Sequence, residues 1–396
     1  MNKETLDIKK NLNLKIDYRF KLLYAITMMC VMAEHCRGLS SIELNLQGWF
    51  NYSSYHMPLF MFAAGYFFKQ NNIDNTIEYI YNKFKKLLFP IFIYNFFYGF
   101  YVQFLKKLKF KNHTRPFSFK ILFIEPFIGA GFKHITPSWF SATLFYVEVY
   151  NILKRKIFLT LFNIDLYELL YFIIDFVLSY YTVYYSNRGY NKKIINVAIL
   201  RTIHLNVYYQ LGIFYKKLLE KYIKNIKSDI YFIIIFITKL LIHTYHGREL
   251  SFYYGMSNYY KTGPLAVIII SFLGIFFWMR ICEIIEPILG KNFYINIIAD
   301  NTYSIMINHS LSQDIIRTIF FFISKYTIYC KNFDKTKFFN MDHTYIYIPN
   351  KKVRQVGIIY FINCFFFPII LQKNIDKIKN LFIEKLKKKT TMKKIK

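Results

Sequence analysis

The 396-residue chain is 55% hydrophobic and only 19% charged, with 44 Phe, 36 Tyr and a formal net charge of +30. Its charges gather between long apolar runs, which excludes a soluble globule and predicts an all-α, polytopic transmembrane helix bundle of about ten spans. The basic surplus is spread over short loops and a Lys-rich end, with no basic face on a soluble domain, so the expected partner is membrane lipid and not nucleic acid.

Residues 1–18 are polar and read as a cytoplasmic N-terminal tail; residues 19–372 read as the membrane domain. Span one is expected at about 20–37. The residues from Phe20 to Cys36 are just enough to cross a hydrocarbon core as a helix. This run has no small-x-small cleavage site and reads as a retained helix, not a signal peptide. It ends on Glu34, His35, Cys36 and Arg37. Ionisable groups at membrane depth are costly and mark pathways or catalytic sites, whereas a histidine in the headgroup region needs no role. Tyr24 and Lys21, eleven and fourteen residues before His35, share its face of an ideal helix. Lys21 would sit about 21 Å below His35. It would either hold the phosphates of a cytoplasmic cofactor or snorkel to the inner headgroups.

The segment 39–54 is polar and expected on the outer side. Span two, about 55–69, opens on His56 and is interrupted by Pro58 and Gly65. His56 would share an outer vestibule with His35, or simply sit at the interface. Span three is expected at about 87–105, followed by a basic segment at 106–120. The interrupted apolar run 121–135 reads as a re-entrant or interfacial piece. Span four, about 138–153, opens on Trp139-Phe140 and is expected to end at Lys154-Arg155-Lys156. An aromatic belt accounts for Trp139 equally well.

Spans five to eight are expected at about 166–185, 194–215, 229–246 and 264–285. Arg201 and His204, and Arg280 and Glu283, are three apart and share helix faces; the second pair reads as a local ion pair near the inner surface. His243 and His246 have the same spacing, but lack a third ligand in the sequence, so no metal site is expected. Residues 286–300 read as a connection. Span nine, about 301–324, is expected to be capped by Asn301 or Thr302. It carries Asn308 and His309 two turns in, where they would contact an acyl group or substrate hydroxyl, or bind neighbouring helices together. A polar loop at 325–354 and span ten at about 355–372 lead to a basic cytoplasmic tail, 373–396. Ten spans put both termini on one side, and the Lys/Arg distribution weakly favours the inside. The five cysteines are scattered with no CxxC spacing, implying neither a zinc site nor a disulfide framework. No Walker loop, dinucleotide fingerprint, GxSxG or HExxH is present.

Three of these segments carry a likeness. His35 ends span one, YHMPLFMFAAGYFF forms span two, and NTYSIMINH opens span nine. In this order they resemble membrane acyltransferase family three, bacterial inner-membrane enzymes that O-acylate cell-surface sugars. The likeness covers most of the chain and is nearest the O-antigen, capsule and fucose branch. Trp139-Phe140 is a weaker match. The resemblance implies a multi-pass protein of the inner membrane that moves an acyl group, chiefly acetyl from acetyl-CoA, to a hydroxyl of a surface polysaccharide or lipid-linked sugar. It implies His35 as general base, or as a transient acyl carrier. His56, Asn308, His309 and Trp139 are the implied substrate or acyl contacts. The chain departs from the family where Tyr24 replaces a basic residue, Glu34 an apolar or small one, and Ala64 a serine. Lys21 is the candidate to take over the donor phosphates. On an ideal helix Glu34 points about 100° away from His35, so it is not expected to orient that ring. A flippase for lipid-linked sugars and a catalytically inactive member of the family are the alternative readings; a polysaccharide polymerase would show a larger outer loop.

Overall fold

A computed structural model describes residues 16–36, 51–110, 116–129, 131–162, 167–246, 252–253, 259–260, 262–340, 345–348 and 356–395. The expected tail at 1–18 and the polar segment at 39–54 lie mostly outside them. So do Arg37 and parts of the loops at 106–120, 247–263 and 325–354. The described chain is helical, apart from one antiparallel pair of two-residue strands, Phe252–Tyr253 and Tyr259–Tyr260.

The principal helices are α1 (Tyr18–His35), α2 (His56–Tyr66), α3 (Thr76–Lys107), α4 (Trp139–Phe162), α5 (Glu168–Asn187) and α6 (Ile194–Phe214). They continue with α7 (Ser228–His246), α8 (Pro264–Leu289), α9 (Phe293–Asp300), α10 (Thr302–Tyr326) and α11 (Val356–Ile395). By length and composition, five of them can cross a membrane: α3, α5, α7, α8 and the segment Val356–Leu381 of α11. The outer helices turn apolar side chains outward. On α7, Ile233, Ile234, Ile237, Leu240 and Leu241 are all exposed. A surface of this kind is an aggregation liability in water and the ordinary state in lipid.

The interior is a large apolar core that also encloses several charged groups, among them Lys154, Arg155, Glu168 and Asp175. Helix α1 is buried on every side: Phe20, Leu22, Leu23, Ala25, Cys30 and Met32 are all below 2% exposure. A helix enclosed by protein has no lipid-facing stripe and shows no amphipathic pattern. Helix α4 runs through the lysines and arginine expected to end it. Lys154 and Arg155 turn inward, Lys154 to Asp175, and Arg155 in a bidentate pair with Glu168 at 2.9 and 2.6 Å. The expected stop was a span boundary inferred from charge alone; the partners on α5 are what allow burial.

Other boundaries differ for local reasons. Pro58 lies in the first turn of α2, where no intrahelical N–H bond is lost, so it does not interrupt the helix. Gly65 is likewise no break. A Cβ there would fall 1.9 Å from the Tyr209 carbonyl oxygen, and one on Gly212 would fall 2.1 Å from that of Phe62. The two glycines let α2 and α6 cross backbone to backbone, the usual use of small residues in membrane bundles. The expected connection at 286–300 contains α9, which Asn292 caps by accepting from the Tyr294 and Ile295 N–H groups. Asn301 makes no side-chain cap for α10; it donates backward to the Ile297 carbonyl.

The ends of several helices are clamped by ions. Arg19 reaches Asp17 at 2.6 Å, Glu220 at 2.9 Å and Glu283 at 3.4 Å. Arg280 pairs with Glu283 as its spacing suggests. Burial raises the Glu220 carboxyl, but hydrogen bonds from Lys224, Arg19 and Tyr66 outweigh it and hold the group below the usual carboxylate range. The start of α1 and the ends of α6 and α8 therefore meet on one side of the bundle.

Candidate functional site

Helix α1 starts where Asp17 accepts from the Arg19 N–H, and it runs unbroken to His35. Lys21, Tyr24, Met28 and His35 fall on one stripe of it, spaced by three, four and seven residues. Tyr24 and Met28 line a cavity of about 1130 Å³. Its other walls come from α2, α3, α4, α9, α10 and α11. Three lysines line it: Lys85 and Lys86 from a π-helical turn of α3, Phe84–Leu88, and Lys379 from α11. Such wide turns are frequent at functional sites. Asp300 and Asp376 partly offset that charge. The rest of the cavity is mostly apolar and aromatic.

Asn308 also faces the cavity, and its orientation is determined by its partners. Its Nδ2 donates to the Ser304 carbonyl at 3.0 Å, and its Oδ1 accepts from the Tyr98 hydroxyl at 3.1 Å. His309, one residue on, points elsewhere. Its ring lies against that of His35, with centroids 4.6 Å apart and planes at 40°. His309 is buried, whereas His35 is solvent-exposed. A carbonyl can only accept, so the 2.8 Å contact to Met306 puts the proton of His309 on Nδ1. In the neutral ring Nε2 is then left with its lone pair. Neither histidine lines the cavity. Met28 and Met306 do; they stand about 10 Å and about 5 Å along their helices from His35 and His309.

Gln313, one turn beyond His309, donates to the His35 carbonyl at 3.2 Å. That carbonyl belongs to the last turn of α1, which has no intrahelical donor. The same helix thus carries one histidine and holds the end of the helix that carries the other.

The remaining candidates are placed as follows. His56 is buried and lies on another side of α1 from the histidine pair. Its Nδ1 is 2.6 Å from the Tyr52 carbonyl and its Nε2 is 3.1 Å from the Glu34 carboxylate. The carbonyl fixes the proton on Nδ1, so the Glu34 contact requires one further proton on the imidazole or the carboxyl. Lys21 makes an ion pair with Asp300 and does not itself line the cavity. Trp139 packs under the Arg201 guanidinium, 4.8 Å from its ring centre, while Phe140 takes a place in the cavity wall. His204 bonds Ser179 and Tyr208 between α5 and α6. Among the described residues, no three His, Cys, Asp or Glu side chains come together as a metal site.

Sequence reasoning missed Lys85, Lys86 and Lys379 as cavity residues, and it missed Gln313. The lysines were read as loop charge. A pair of them one turn before Pro90 is the kind of signal that could have drawn notice. Gln313 gives no local sign, because its partner is a backbone carbonyl 278 residues away.

Compared with protein-family models, with curated proteins and with solved structures, the chain matches none.

Proposed function

We propose that this chain is an integral-membrane O-acyltransferase of about ten spans in the inner membrane, moving an acetyl group from acetyl-CoA to a hydroxyl of a cell-surface or lipid-linked sugar. One observation carries the reading: a large cavity with lysines in its wall and an apolar body lies on the same helical stripe as two histidines in ring contact. Its volume of about 1130 Å³ exceeds the ~300–1,000 Å³ typical of drug-sized ligands, as an extended donor requires. Lys85, Lys86 and Lys379 suit the donor's phosphates, and supply cations that Tyr24 cannot. The apolar walls suit its pantetheine arm.

In this mechanism the donor enters from the inner side, and the sugar meets His35 from the outer side. The His35 imidazole takes the hydroxyl proton as the oxygen attacks the thioester carbonyl. The carbon–sulfur bond then breaks, and the departing thiolate takes the proton from the imidazolium. Asn308 stands in the cavity wall, where its amide donates to the Ser304 carbonyl and hydroxyl; it would have to release one of these to serve the developing oxyanion. His309 packs against the His35 ring and fixes its attitude.

Beyond the five helices of high hydropathy, the ten-span count takes in α1, which is largely enclosed by its neighbours, and α4, α6 and α10, which bury polar faces and turn apolar residues such as Ile157, Ile199 and Ile319 outward. Helix α2, with 11 residues, is about 17 Å long and is the shortest of the ten proposed spans.

Proton NMR of the surface polysaccharide, with and without the gene, tests the reading. O-acetyl signals are expected to vanish on deletion and to stay absent when His35→Ala is returned at normal membrane levels. General-base removal lowers such rates about 10²–10⁴-fold. Unchanged O-acetylation in the deletion overturns the function, and wild-type levels in His35→Ala overturn the role of His35. Loss of surface polysaccharide itself, with lipid-linked sugar retained on the inner side, would instead identify a flippase.

A further inference from the structure

Cys36 and Cys364 are 328 residues apart in the chain, and their Sγ atoms approach to 3.9 Å. Both are fully buried. Cys36 caps the C-terminal end of α1, immediately after His35, and Cys364 lies in α11. Two further contacts tie this pair of thiols to the histidines. Gln313 Nε2 is 3.9 Å from the Cys36 sulfur, and the Cys364 thiol donates to the His309 carbonyl at 3.8 Å. The two sulfurs are in van der Waals contact. A disulfide needs them at about 2.05 Å, with Cα atoms about 4.4–6.8 Å apart. The approach of about 2 Å that remains is within reach of a change of side-chain rotamer at one cysteine.

We propose that Cys36 and Cys364 are a disulfide-forming pair, oxidised by a low-molecular-weight disulfide, which joins the first and last principal helices beside the His35–His309 pair. A Cys36 or Cys364 thiolate attacks one sulfur of the oxidant, forming a mixed disulfide and expelling the other sulfur as a thiolate. The second cysteine, having lost its proton, attacks the protein sulfur of that intermediate and expels the remaining thiolate. Two cysteine thiols give up two electrons and two protons, and one disulfide becomes two thiols. Access is from the outer end of α1, where the adjoining His35 is open to solvent. The proposal uses the outward orientation of that end, where the compartment permits disulfides. It does not depend on acyl transfer.

The test counts thiols on the full-length protein in detergent. After equilibration with oxidised glutathione, acid quenching and alkylation with N-ethylmaleimide in denaturant, three of the five cysteines are expected to carry the label. A peptide linked through Cys36 and Cys364 is expected by mass spectrometry, and dithiothreitol should dissolve it and restore five labels. In Cys364→Ser no internal cross-link should form after the same oxidation, and Cys36 should be recovered either labelled or as its mixed disulfide with glutathione. Five labels in the wild type at every ratio of oxidised to reduced glutathione overturn the proposal. So does a bond mapped to Cys30, Cys282 or Cys330. The readout is a mass, so it stands or falls whether or not the sugar is acetylated.

Discussion

His35 is exposed on one side, touches His309 on the other, and ends a helix whose last carbonyl needs an outside donor. Gln313 is that donor, and it is 4% exposed. Replacing it with Ala leaves the carbonyl without this bond in a mostly buried setting, at a cost of about 1–3 kcal/mol. In the proposed reaction, this misplaces His35 without touching the donor cavity. Gln313→Ala is therefore expected to lower kcat about tenfold and leave the donor KM unchanged. Gln313→Glu should not rescue it, because a carboxylate has no proton to give. An equal rise in KM would show instead that Gln313 shapes the cavity.

Two of the devices by which helices meet in this molecule are close backbone crossing and ion pairs. At the crossing of α2 and α6, a Cβ on Gly212 would meet the Phe62 carbonyl oxygen at 2.1 Å. Backbone cannot yield as a flexible side chain does. Gly212→Ala is expected to destabilise by about 3 kcal/mol or more, read as a lowered Tm in detergent. At the Arg19 end of α1, Glu220 joins that helix through an ion pair. Its carboxyl is held below its ordinary range, so its contribution is complete above the unfolded-state pKa of about 4.3. That contribution is lost as the pH falls further, through the lower folded-state value. Glu220→Gln is expected to cost about 2 kcal/mol at pH 7. Thermal unfolding of the two proteins at pH 7 and near pH 3 checks the sign: the gap should close on the acid side.

Among the described residues, apolar side chains both face outward and fill the core, and paired charges are set into that core. If the proposed ten-span topology holds, the turn after α5 is expected outside and the segment after α6 inside. A cysteine placed at Arg188, in a background without the native thiols, should react with an impermeant maleimide in intact cells. One at Lys221 should react only after the membrane is opened. Labelling of both from the same side would reduce the span count and reverse part of the topology.

Helical class and the ends of most long elements could be read along the chain, because lipid-facing helices must be apolar and end near polar residues. Helices α5, α6, α7 and α8 begin within two residues of their expected starts. The reading failed where charge is internal. Lys154 and Arg155 look like a membrane boundary until Asp175 and Glu168 are beside them. At the candidate site, His35, His309 and Asn308 were visible as polar residues in apolar runs, which is a local property. That His35 meets His309 while His56 meets Glu34, that lysines of α3 and α11 share one cavity, and that two distant thiols touch are matters of helix packing. Local sequence determines which faces cannot face lipid; only the packed bundle determines which of them face each other, because each such contact joins helices far apart in the chain.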